Sequence, residues 1–197
     1  MIIRTTILLF LVFAVSYNQP KKNASSQKSF TTTPDSIDDE ETFNPYSAEY
    51  IRAERKRYVQ KYSMVESIDT TFSISGSETV RVQTKYYCLH DNAVLIPGTY
   101  VWEDTTAIFQ THNFAHDVKI TINGKTLFSR TIKKKDFETI STPKLLKYGV
   151  IFSARFQEYH RGYNYFLFTY SLTIPCTDLG SGIALYIDKA GRWIITH

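Results

Sequence analysis

Three places in this 197-residue chain gather side chains with the right chemistry for catalysis or binding. In "FQEYHRGYN", residues 156 to 164, an acid, an imidazole and a guanidinium (Glu158, His160 and Arg161) crowd beside Gly162. Such a trio suits general acid–base work or anion binding. In "HNFAHD", residues 112 to 117, His112 and His116 stand four apart next to Asp117. The third place is a pair of positions, Cys88 and Cys176, the two cysteines of the chain.

Each place has a plainer reading, and the flanking residues decide between the two. The Glu158–His160–Arg161 stretch separates two apolar alternating runs, which is how an exposed hairpin tip reads, and no nucleophile or further acid completes it. His112 and His116 would share a helix face, but their neighbours alternate as in a strand. Four strand residues span roughly 13 Å, too far for one ion. No zinc motif accompanies them, so no metal ligand and no cofactor is assigned. The cysteines fall on the apolar phases of two expected strands. In an exported protein that even count predicts a Cys88–Cys176 disulfide, worth about 4 kcal/mol for so long a loop. "LGSGI" around Ser181 lacks the nucleophile-elbow pattern, and there is no phosphate-cradling glycine loop.

The aromatic residues are the other candidate. There are 14 Tyr, 13 Phe and 2 Trp. Tyr87, Tyr159, Tyr163 and Tyr165 fall outside the expected core phases, where rings can stack on a sugar or anchor a protein. With Glu158, His160 and Arg161 they form the candidate binding set. Nucleic acid is disfavoured as a partner. From Met64 onward 14 Lys and Arg face 12 Asp and Glu, too even a balance for a phosphate-binding surface.

The elements that must position these residues are mostly strands. Period-two alternation runs through "TVRVQTKYYC", "GVIFSARFQEY", "YNYFLFTYSLTIPC" and "GIALYID". Asn123-Gly124 marks a two-residue hairpin that sets Ile122 opposite Lys125 and Ile120 opposite Leu127. A turn at Ala190-Gly191 precedes a last strand from Trp193, and shorter strands fit Val94 to Trp102 and Thr106 to Thr111. Roughly eight strands with frequent turn signals predict a mostly β fold, an antiparallel sandwich over residues 64–197. A closed barrel is the alternative.

Ahead of the sandwich, residues 44–63 predict one short basic amphipathic helix, with Asn44 as cap and Pro45 in the first turn. Its narrow stripe of Tyr50, Ile51, Tyr58, Val59 and Tyr62 suits packing on the β body. Peripheral association with anionic lipid is the alternative use. Residues 1–16 read as a secretory signal peptide. Arg4 supplies the positive region, Ile7 to Val15 an apolar run too short to span a membrane, and Ala14-Val15-Ser16 the cleavage site. Residues 17–43 are polar and read as a flexible tether.

Leader, tether and β-rich body, with the ending "SLTIPCTDLGSGIALYIDKAGRWI", resemble small exported lipoproteins of the Bacteroidota, a group largely of uncharacterised function. Tyr17 stands where the lipid-bearing cysteine of such a leader would be, so the resemblance implies export without a lipid anchor. The location expected is extracytoplasmic, in the periplasm, the envelope or secreted. An uncut leader, or a cysteine in place of Tyr17, would hold the chain at the membrane. The activity expected is non-enzymatic binding of a glycan or protein, or association with the envelope. The alternatives are an envelope hydrolase using Glu158, His160 and Arg161, and a barrel-type carrier of an apolar ligand.

Overall fold

A computed structural model describes residues 47–101 and 108–197. The leader, the tether, Asn44, Pro45 and residues 102–107 lie outside the described residues. The fold is a mostly β antiparallel sandwich, with ten strands among the described residues rather than eight.

Helix α1, Ala48–Gln60, starts at Ser47, whose Oγ accepts from the Tyr50 N–H at 3.2 Å. A 3-10 turn, Lys61–Ser63, extends it. One sheet then holds β1 (Val65–Ser75), β2 (Glu78–Cys88), β5 (Phe114–Ile122) and β6 (Lys125–Lys133), in the order β1-β2-β5-β6. The other holds β7 (Val150–His160), β8 (Tyr165–Thr173), β9 (Gly180–Asp188) and β10 (Trp193–Thr196), in the order β10-β9-β8-β7. Two short strands, β3 (Val94–Pro97) and β4 (Ile108–Thr111), pair by themselves. A short helix α2, Pro143–Tyr148, capped by Thr142, leads into β7. The strands form open sheets and no closed barrel.

The inward phases meet in one core. Val80, Val82, Tyr86 and Cys88 of β2 are buried, as are Phe166, Phe168, Tyr170 and Leu172 of β8 and Ile183, Leu185 and Ile187 of β9. Burial of these large side chains supplies the main driving force, about 1.5–3 kcal/mol for each large apolar group removed from water. The core also holds polar groups in pairs. Tyr86 donates to the Ile151 carbonyl at 2.7 Å, and His116 Nδ1 lies 3.0 Å from the Tyr170 hydroxyl. Burial holds the His116 imidazole well below its ordinary value, down to about 4.

The Asn123-Gly124 turn has both central residues at positive φ, 49° and 78°, and pairs Ile122 with Lys125 as expected. Beyond it the register departs from the sequence expectation. A bulge at Ile120–Thr121 sets Ile120 opposite Phe128 instead of Leu127. The extra residue reverses the alternation of β6, so Phe128 and Ile132 point into the core while Ser129 stays exposed.

The expected Cys88–Cys176 disulfide is not formed. Alternation continued in phase from β8 would reach residue 176, but the strand ends at Thr173. Cys176 sits beyond it in a turn with φ 60°, half-buried, where strand phase no longer applies. Cys88 remains in strand phase and buried at the end of β2. Tyr58 of α1 is a near neighbour of both thiols.

The helix stripe packs inward only in part, since Val59 is 44% exposed. Ile51 and Tyr58 are buried, and Tyr62 packs against the core edge. Two of its basic groups also lie over core-edge rings, Arg55 at 4.5 Å from the Phe109 centroid and Lys61 at 4.0 Å from that of Phe152. No helix among the described residues is long and apolar enough to cross a membrane.

Candidate functional site

The β7–β8 hairpin closes on the pair His160↔Tyr165, with residues 161 to 164 forming the tip. Asn164 takes φ 56°, and its side-chain oxygen accepts from the Tyr159 hydroxyl at 2.9 Å, which stiffens the turn. Gly162 lies against the His160 ring, where a Cβ would meet Cε1 at 3.3 Å. That close approach lets the tip fold back over the imidazole, whose Nδ1 is buried without a partner among the described residues.

The ring contacts continue outward from this tip. His160 lies 4.8 Å from Tyr163 and 5.2 Å from Tyr165, nearly parallel to the latter at 26°. Tyr163 and Tyr165 are stacked at 6.1 Å and 13°, and Tyr165 meets Tyr186 of β9 edge-on at 4.9 Å. Offset and edge-to-face geometries of this kind are the favourable ones for aromatic pairs. Partial desolvation, with Tyr186, Glu158 and Tyr163 beside it, raises the Tyr165 hydroxyl above the usual phenol range.

Register carries the row across the sheet. Leu167 pairs with Tyr186, and Tyr186 pairs with Ile194. These residues alternate with buried Phe166, Phe168, Leu185 and Ile187, so they share the outward face. Tyr163 is 75% exposed and Ile194 63%, so nothing among the described residues covers them. The result is a shallow face, aromatic at the hairpin tip and aliphatic toward the short edge strand β10.

Of the expected site residues, Tyr163, Tyr165 and His160 are thus brought together. Glu158 is exposed on the same face, opposite Leu167. Arg161 is directed elsewhere, donating to the Ser73 carbonyl at 3.0 Å and tying the tip to the opposite sheet. Tyr159 faces inward, 4.8 Å from Phe166 and 6.3 Å from Phe72. Tyr87 is on the first sheet, within 3.5 Å of Asp117, eight residues along β2 from the Thr79 that pairs with Ser73. That is roughly 27 Å of strand, so Tyr87 does not belong to the row.

Sequence reasoning missed Tyr186, Leu167 and Ile194. The outward phase of Tyr186 was legible in "GIALYID", but its neighbours depend on cross-strand register. A cleft of about 480 Å³ runs beside α1, lined by Ile51, Tyr58, Phe152, Ile174 and Cys176 among others, and includes none of Glu158, His160 or Arg161. The outward face can stack and hydrogen-bond; among the described residues its ring row holds no nucleophile paired with a base, and the Ser181 Oγ–His197 Nδ1 contact of 3.1 Å lies at the opposite end of β9. Compared with protein-family models and with curated proteins, the sequence matches none.

Proposed function

We propose that this is an exported, non-enzymatic binding module whose contact surface is the outward row of Tyr163, His160, Tyr165 and Tyr186, and that its ligand is a glycan. The observation that carries the reading is the 75% exposure of Tyr163 at the end of a stacked, pre-assembled ring row. Rings already held in place lose little freedom on binding. Sugar C–H faces stack on such rings, while Glu158 and Asn164 supply exposed polar groups at the margin. The leader-like first 16 residues support an extracytoplasmic location. Against the hydrolase reading stands Arg161, held by Ser73 on the other sheet rather than joined to Glu158 and His160.

A glycan array probed with the purified chain tests this. The expected result is retention of one glycan class by the parent chain and its loss in a Tyr163→Ala, Tyr186→Ala double variant. Retention of no glycan, or equal retention by parent and variant, overturns the reading.

A further inference from the structure

At the other end of β2 the fold assembles a second group that is independent of the aromatic face. Cys88 closes β2 opposite Phe114, and Leu89 N–H donates to the Asn113 carbonyl at 2.9 Å, so the loops 89–93 and 112–113 run side by side. Asp91 braces them. Its Oδ1 accepts from the backbone N–H groups of Ala93 and Asn113, and its Oδ2 from the Asn113 amide at 2.8 Å. Gln110 donates across to the Asn92 carbonyl at 3.1 Å. His90 and Asn92 both adopt positive φ, 52° and 51°, which curls the first loop back toward the strand end.

The curl places one ligand atom each of Cys88, His90 and His112 within 4.8 Å of one another. The two imidazole rings lie 5.4 Å apart, and Tyr62 of the 3-10 turn meets the His112 ring edge-on at 4.5 Å, fixing its plane. Ligand atoms around a tetrahedral ion stand about 3.5 Å apart, given metal–ligand bonds of roughly 2.0–2.3 Å. His90, exposed, is the ligand least held by packing. The thiol is at present buried, with the His90 N–H 3.4 Å from Sγ. Asn92 N–H donates to His112 Nδ1 at 3.0 Å, and an ion taking that nitrogen displaces this one exposed hydrogen bond. Asn113 Oδ1, one residue along from His112, is buried with no partner among the described residues.

We infer that Cys88, His90 and His112 form a binding site for a thiophilic transition-metal ion of the zinc class. One thiolate and two imidazoles are the donors such an ion prefers over magnesium or calcium. His90 is exposed and His112 half-buried, so a fourth position opens to solvent. The Asp91 carboxylate, next to His90 in the chain and bonded to Asn113, adds a negative charge close to the site. Binding replaces the thiol proton by the metal and releases it to solvent.

The test uses the full chain, stripped with chelator and titrated with zinc(II) against a chromophoric competitor, then with cobalt(II) alone as a spectroscopic probe. The expected result is one zinc per chain at micromolar or tighter affinity, with a thiolate-to-cobalt charge-transfer band. Cys88→Ser should abolish that band. His90→Asn, at an exposed position whose positive φ asparagine tolerates, should fold as the parent and bind zinc at least tenfold more weakly. Substoichiometric zinc in the parent, or unchanged affinity in His90→Asn, overturns the inference.

Discussion

Two regions of this protein are built from the same kinds of aromatic residue and end in opposite states. At one end, Tyr58, Tyr62 and Phe114 form a ring cluster. Tyr58 is edge-on to Tyr62 at 5.5 Å and parallel to Phe152 at 6.2 Å. Both tyrosine hydroxyls reach the Thr111 hydroxyl, at 3.0 and 2.6 Å. At the other end, His160, Tyr163, Tyr165 and Tyr186 make ring contacts of comparable length on an outward face, with Tyr163 75% exposed and the other three half-buried. Helix α1 makes the difference, since it contributes Tyr58 to the first cluster while nothing among the described residues covers the second. The same aromatic chemistry is therefore structural where a partner element belongs to the chain, and available for a ligand where none does.

The sharpest way to break that comparison is to truncate one ring in each cluster. Tyr58→Ala leaves a cavity beneath the helix and should cost about 3–5 kcal/mol in urea unfolding. Tyr163→Ala should stay within about 0.5 kcal/mol of the parent. Equal losses would mean that the exposed row is part of the structural core.

Acid titration separates the buried polar groups from the exposed ones. His116 has its folded-state value lowered to about 4 from an ordinary 6.5. The unfolded chain thus takes up the proton first as the pH falls. The stability of the neutral, buried form is complete above about pH 6.5 and drains away as the pH approaches 4, by about 3 kcal/mol in all. Unfolding midpoints measured from pH 7 to 4 should show this loss in the parent. His116→Gln, which cannot titrate, should lack that part of the slope. A parallel slope in both would place the acid sensitivity elsewhere.

Smaller effects refine the contrast. Tyr62→Phe removes the shorter of the two hydroxyl contacts to Thr111 and should cost about 1 kcal/mol. Arg161→Ala loses one exposed hydrogen bond to Ser73 and should change stability by no more than about 0.5 kcal/mol. It should leave glycan retention intact, because its guanidinium points away from the row. Abolished retention in this variant, with stability unchanged, would return Arg161 to the binding set.

Much of the fold was legible because alternation is a local property. The inward phases of β2, β8 and β9 follow from every second residue being apolar, and the Asn123-Gly124 turn follows from two residues that tolerate positive φ. The β6 register was not legible, since a bulge is set by what fits in the core opposite it, and here Phe128 fits in place of Leu127. The disulfide expectation failed on the same ground: counting in twos past Thr173 assumed a strand where the chain turns. His112 shows the limit most directly. Read along the chain, its neighbour is His116, which packs into the core against Tyr170. Its spatial neighbours are Cys88 and His90, more than twenty residues upstream.

By itself, then, the order of residues determined the β class, the inward faces and the exposed hairpin tip, because period, turn propensity and apolar content act over a few neighbours. Which rings become core and which remain a surface was decided by tertiary structure, through the docking of α1 on Phe152 and Phe114. So was the meeting of one thiol with two imidazoles, which follows from the pairing of β2 with β5 and the loop that curls back from it. Such meetings depend on pairing between segments distant along the chain, and the free energy that selects a pairing is summed over the whole core rather than carried by the residues that meet.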